Sequence, residues 1–216
     1  MSELSLLQQI TIWALPILFA ITVHEVAHGW VARHFGDRTA EMMGRLTLNP
    51  VKHIDPVGTI IVPLALLAMG GFIFGWAKPV PVSQQNLRNP RRDMAIVAAA
   101  GPISNLVQAL IWALIAKIAI IANLAYVSEP LALMGAAGIL INIVLAVLNL
   151  LPVPPLDGGR VLGNLLPPHL SDKFDRLEPY GLFILVALLA TGVLGRIIGP
   201  PVMYLRGILF SIIGLG

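Results

Sequence analysis

The run most able to do chemistry in this chain is His24-Glu25-Val26-Ala27-His28. On a helix, residues four apart share a face. Two imidazoles can then hold one Zn²⁺, with Glu25 beside them to take a proton from water on the metal. Zinc takes neutral imidazole nitrogen, a form favoured away from bulk water and other cations. The competing reading is a pair of packed histidines with a hydrogen-bonded Glu. Depth weighs against it. The apolar run from Ile10 to Val23 precedes His24, and these 14 residues make about 21 Å of helix against a hydrocarbon core of about 30 Å. Ionisable groups at that depth are costly unless paired, and by default they mark function.

A catalytic zinc takes three protein ligands and leaves a fourth position for water. His34, Glu41, His53, Asp55, Asp157 and His169 are the candidates for the third. Asp157 has the best context, in Asn149-Leu-Leu-Pro-Val-Pro-Pro-Leu-Asp157-Gly-Gly. Three prolines end a helix and hold an extended segment, and two glycines admit close backbone approach. The alternative is an ordinary capping Asp at a helix start. Asn105, Asn142 and Asn149 also interrupt apolar runs. For Asn105 and Asn142 the reading is interhelical hydrogen bonding. Asn149, eight residues before Asp157 and at the same membrane level, can hold or polarise a substrate carbonyl. Gly101-Pro102 permits close helix approach, and packing alone accounts for it.

The elements that must position these groups are those of a membrane protein. Hydrophobic residues are 57% of the 216 and charged residues 12%, against about 45–50% and 25% in soluble domains. A chain this size cannot hide so much apolar surface in a water-soluble fold. There is no cysteine, so disulfides and thiolate metal sites are excluded. The net charge of +3 comes from loops and forms no basic stripe, which points to the positive-inside pattern and not to nucleic acid.

Apolar helices are expected over residues 6–32 (with Pro16 as a kink), 94–122 and 132–151, with a shorter candidate at 180–195 and a last stretch, 200–216, interrupted by Arg206. No Lys or Arg precedes the first run, so it is expected to be retained and not cleaved as a signal peptide. Loops 33–56, 78–92 and 157–178 carry the basic residues, whereas 123–131 has none. That places the N-terminus outside, the first helix running inward, and the metal residues toward the cytoplasmic side of a multi-pass cell-membrane protein. Residues 57–77 are apolar, yet both flanks read as cytoplasmic. With Pro63 and Gly70-Gly71 inside, the segment is expected to be a re-entrant hairpin; a plain crossing is the rival. Residues 44–49 alternate apolar and polar, the period of a strand, and 80–87 offer a second. The expected fold is one all-α polytopic domain of about five or six transmembrane or re-entrant helices. It carries a small β-sheet at the cytoplasmic face, a motif-bearing core over about 6–165 and helical segments over about 177–216.

HExxH in a transmembrane helix, Gly101-Pro102-Ile-Ser-Asn105, and NLLPVPPLDGG together resemble the site-2 protease family of intramembrane zinc metalloproteases, peptidase family M50. GRLTLNPVKHIDPVGT followed by FGWAKPVPV resembles its short prokaryotic branch, which lacks PDZ and CBS domains. The resemblance covers roughly residues 20–165. It implies one Zn²⁺ per chain on His24, His28 and Asp157, Glu25 as general base and acid, and Asn149 assisting the substrate or its oxyanion. It assigns no role to His53 or Asp55. The implied reaction is hydrolysis of a peptide bond in or near a transmembrane segment of another membrane protein within the bilayer. The 44–49 strand would hold the unwound substrate by its edge. The rivals are a divalent-metal transporter using the same residues, and a silent member that binds transmembrane helices without cutting them. Oligomeric state and substrate identity are not fixed by the sequence.

Overall fold

The computed structural model describes residues 5–62, 65 and 75–214, and these residues are helical with no strand among them. Helix α1 (Leu6–His34) starts in a capping box: the Ser5 hydroxyl accepts from Gln8 N, and the Gln8 side chain accepts from Ser5 N. It continues past Pro16 to the basic loop. After the single turn α2 (Thr39–Met42), α3 (Pro90–Ala122) opens with proline at its first position, where no intrahelical donor is needed, and ends at Asn123 in the left-handed region. Helix α4 (Ser128–Asn149) returns. The short helices α5 (Asp157–Leu165), α6 (Pro168–Asp175) and α7 (Gly181–Ala190) lead to α8 (Val193–Ile213).

Four of these helices, α1, α3, α4 and α8, are long and apolar enough to cross a membrane. Arg206 does not stop α8 from being one of them. The 180–195 candidate breaks at Gly192, whose φ of +72° suits glycine, and its ten-residue α7 spans only about 15 Å. Leu7, Ile118, Ile121 and Phe183 are all more than half exposed, as expected where lipid and not water is the surrounding medium.

Small residues set how closely the helices approach. A Cβ on Gly135 would stand 2.6 Å from Ala116 Cβ, and one on Gly138 would stand 2.3 Å from the Trp112 ring. Helices α3 and α4 therefore pack with little between them, which is how transmembrane helices gain van der Waals contact without a hydrophobic driving force. Ala109, Ala113, Ala116, Ile139 and Ile143 form the core there, closed by Val202, Leu209 and Ile213 of α8. Helix α1 packs against both α3 and α4. Lys117 Nζ donates to the Ile212 carbonyl at 2.9 Å, so the last turns of α3 and α8 meet at the same end of the bundle.

The expected sheet is absent from the described residues. Residues 44–49 alternate in polarity, but no backbone ladder pairs them. Gly44 takes a φ of +62° and turns the chain, and Arg45 N donates back to Ala40 O at 2.9 Å. Arg45 reaches the opposite segment with its side chain, the guanidinium donating to Lys78 O at 2.9 Å, while Thr47 O accepts from His53 Nε2 of its own loop at 2.9 Å. Pro79 and Pro81 have no N–H to contribute to a ladder. Docking of substrate on a 44–49 strand edge therefore has no basis. The proposed 57–77 hairpin lies for the most part outside the described residues. Its described ends do meet, with Trp76 N donating to Gly58 O at 3.1 Å and Thr59 Oγ1 to Trp76 O at 2.9 Å.

Candidate metal centre

His24 and His28 are one turn apart on α1, are buried, and turn their Nε2 atoms toward each other at 3.0 Å. Asp157 brings Oδ2 to 3.1 Å from His24 Nε2 and 3.3 Å from His28 Nε2. A tetrahedral zinc with nitrogen and oxygen ligands at about 2.0–2.1 Å holds them roughly 3.3–3.4 Å apart, so this triangle is the right size to within a few tenths of an ångström. Oδ2 is buried without a properly angled hydrogen-bond donor, and a buried carboxylate oxygen in that state calls for a cation. A Cβ on Gly101 would stand 2.4 Å from His28 Nε2 and 2.6 Å from His24 Nε2. The missing side chain is what leaves room beside both donor atoms. The residues present fit a zinc ion.

Asp157 reaches this point as the first residue of α5, after the turn that follows α4. Its two glycine neighbours let that first turn press on the preceding loop: a Cβ on Gly158 would lie 2.3 Å from Leu150 O, and one on Gly159 would lie 2.6 Å from Pro154 N. The carboxylate points at the histidines and caps no backbone N–H. The other candidates are engaged elsewhere or stand apart. Glu41 pairs with Arg33 and Arg38, each at 3.2 Å, and Asp55 accepts from Val57 N and Gly58 N. His53 bonds the Thr47 carbonyl, the His34 ring packs on Phe35, and His169 is exposed.

The far sides of the imidazoles are held as firmly as the near sides. His28 Nδ1 donates to Val97 O at 2.7 Å, and His24 Nδ1 donates to Asn105 Oδ1 at 2.6 Å. Asn105 Nδ2 donates to Ala20 O at 3.1 Å and to Asn142 Oδ1 at 2.8 Å, and Asn142 Nδ2 donates to Gly138 O at 2.9 Å. This line of amides joins α1, α3 and α4. It fixes the His24 ring with Nδ1 protonated and Nε2 free to bind metal, the usual task of groups behind a metal ligand. Asn105 and Asn142 do join helices, as read from sequence, and they also hold a candidate ligand, His24. Gly101, taken for packing, abuts both rings. The sequence signal for Gly101 and Asn105 was the GPxxN run, whereas Asn142 offered only a polar residue in an apolar run.

Glu25, Asn149 and Arg160 line one cavity with the three candidate ligands, about 150 Å³ in volume. Glu25 Oε2 accepts from Val80 N at 2.7 Å, so the 79–82 segment forms one wall. Asn149 gives one amide N–H to Leu145 O at 3.0 Å, and its amide carries a second. Asp37, outside the spans and 1% exposed, ties the loop after α1 to the segment before α3. It accepts from Ser83 N, Asn86 Nδ2 and Thr39 N and Oγ1. Burial pushes its carboxyl up, but these four donors outweigh burial and hold it below the usual range.

Comparison with known proteins agrees with this geometry. The family model "Peptidase family M50" matches residues 12–126 and 115–191. The chain is 39% identical over 193 residues to the "Putative zinc metalloprotease YwhC" of Bacillus subtilis, covering 86% of this chain and 83% of that one. It is 32% identical over 179 residues to the "Putative zinc metalloprotease Rip2" of Mycolicibacterium smegmatis, covering 83% of this chain and 66% of that one. Rip2 of Mycobacterium tuberculosis (strain H37Rv) is also 32% identical, over 177 residues, 80% of this chain and 62% of its own length. No solved structure matches significantly. With the HExxH helix, the Asp157 turn and the GPxxN contacts all inside the matched residues, the chain belongs to peptidase family M50, the site-2 protease family of metalloproteases.

Proposed function

We propose that this protein is an intramembrane zinc metalloendopeptidase. It hydrolyses a peptide bond in or near the transmembrane segment of another membrane protein, with its site toward the cytoplasmic face of the cell membrane. The observation that carries this reading is the triangle of His24 Nε2, His28 Nε2 and Asp157 Oδ2, with Glu25 in the same cavity. Two corners of the triangle come from a helix apolar enough to span a bilayer.

His24, His28 and Asp157 would hold the zinc, which when bound polarises a carbonyl and makes water acidic enough to attack near neutral pH. Glu25 takes a proton from the attacking water on its carboxylate and delivers it to the departing amide nitrogen, so that one group acts first as base and then as acid. The Val80 N–H holds one carboxylate oxygen and leaves the other for that proton. Asn149 presents an amide N–H to the substrate carbonyl, a contact that strengthens as negative charge gathers on the oxygen. The Asn105–Asn142 line keeps His24 from turning during this exchange.

A helical substrate hides the scissile bond in its own hydrogen bonds, and must open locally before the cavity can take it. The test is to reconstitute the protein in liposomes with a model single-span substrate and map the cut by mass spectrometry. A cut inside the span or within a few residues of its end is expected. Cutting confined to a distant soluble loop would rule out intramembrane hydrolysis while leaving the metalloprotease assignment standing.

A further inference from the structure

At the end of the bundle away from the metal centre, Arg206 of α8 faces a cavity of about 270 Å³ between α1, α4 and α8. Its walls are apolar, built from Ile12, Leu133, Ala136 and Leu140, with Trp13 and Phe210 at the sides. Gln9 is the one other polar side chain on the lining. The guanidinium lies 4.6 Å from the centre of the Phe210 ring, and no ion pair to it occurs among the described residues. An arginine in a spanning helix is costly unless an anion meets it, and it points to a function whose partner should be named.

The position of the cavity narrows that partner. Gln9 and Trp13 come 15 and 11 residues before His24, so they lie about 22 and 17 Å up the α1 axis from the metal centre. Arg206 is six residues from Ile212, whose carbonyl receives Lys117 at the outer end of α3. The guanidinium is therefore about two turns in from the bundle end, within the reach of a long side chain to the headgroup layer. Tryptophan at that depth is typical of the interface. One cation near the headgroup layer above an apolar slot matches a molecule with one anion and a hydrocarbon tail.

We propose that this cavity binds one anionic glycerophospholipid in the leaflet opposite the metal centre. The lipid phosphate is held by Arg206, and one acyl chain lies along Ile12, Leu133, Ala136 and Leu140. A guanidinium forms paired hydrogen bonds to phosphate, and the tail fills an opening that would otherwise separate α1 from α8. This site is independent of the proposed reaction, and its test does not need activity.

Protein in mild detergent, washed free of co-purified lipid, would be titrated with dioleoyl phosphatidylglycerol or dioleoyl phosphatidylcholine, and bound lipid counted by native mass spectrometry. One phosphatidylglycerol per chain is expected, and R206Q should weaken its binding about 5-fold, the worth of one basic residue near a lipid surface. Ala136→Phe keeps the charge and fills the slot, so it should lower occupancy as well, and it decides the matter if R206Q fails to fold. Equal phosphatidylglycerol occupancy in wild type and R206Q, or full occupancy in Ala136→Phe, overturns the proposal. So does an R206Q-sensitive complex with a Glu-bearing transmembrane peptide while lipid occupancy stays unchanged, for the cavity would then receive a protein helix.

Discussion

Gly101→Ala is the sharpest structural test of the metal centre, because its effect follows from distances alone. The added methyl would sit 2.4 Å from His28 Nε2 and 2.6 Å from His24 Nε2, where ordinary contact needs about 3.5 Å. About 1 Å must be found. The rings cannot easily supply it, since His24 is pinned by Asn105 and His28 by the Val97 carbonyl. Overpacking of this kind costs about 1–3 kcal/mol of stability. The effect on metal binding should be larger. Ligand atoms must stay within about 0.2 Å of their positions, and a displacement near 1 Å costs on the order of 100-fold in function at a site of this type. Gly195→Ala is the control: nothing lies within 4 Å of the new Cβ, and helix propensity favours alanine by about 1 kcal/mol. The assay is zinc stoichiometry and affinity by competition with a chromophoric chelator, run beside thermal unfolding in detergent. Gly101→Ala with wild-type zinc affinity would refute the account of how α3 meets the histidines.

Asn105→Ala should lower zinc affinity about 10–100-fold, the usual cost of losing a partner behind a metal ligand; an unchanged affinity would reduce Asn105 to a helix linker. Asn149→Ala should keep full zinc content but lower kcat by about 100-fold, since it removes one oxyanion donor; steady-state cleavage kinetics check this, and a change in KM alone would make Asn149 a binding contact only. For Asp37 the sign follows from linkage. Its carboxyl is depressed in the folded protein, so its contribution is fully present above the unfolded carboxylate value of about 3.9 and is lost as pH falls toward the folded value. Asp37→Asn should therefore melt lower than wild type at neutral pH, with the gap closing below about pH 4; a constant gap down to acid pH would show that the charge is not what stabilises the loop.

What was legible in the sequence was chemistry at fixed local spacing. The helical repeat alone singled out His24, Glu25 and His28, and the prolines and glycines around Asp157 set it apart from five other candidates, while the choice of the three as one ligand set came from the family resemblance. Asn105 and Asn142 were found as polar residues in apolar runs, but their service to His24 depends on Gly135 and Gly138 bringing α4 onto α3. No spacing along one helix reveals that. The strand over 44–49 failed for the opposite reason. Alternation over six residues is a weak signal, and Gly44 together with the prolines of the opposite segment removed the backbone pairing it required. Arg206 made the last helix look doubtful because a charge was weighed without the cavity that houses it.

The most direct test of the central claim is zinc content and substrate cleavage measured on the same preparations of wild type and Glu25→Gln, purified in mild detergent. Glu25 lies beside the candidate ligand set but is not part of it, so both proteins should carry one zinc per chain and only the wild type should cut. A Glu25→Gln protein that cleaves at the wild-type rate would contradict the role given to Glu25, and a wild type that holds zinc but cuts no membrane substrate would contradict the proposed reaction.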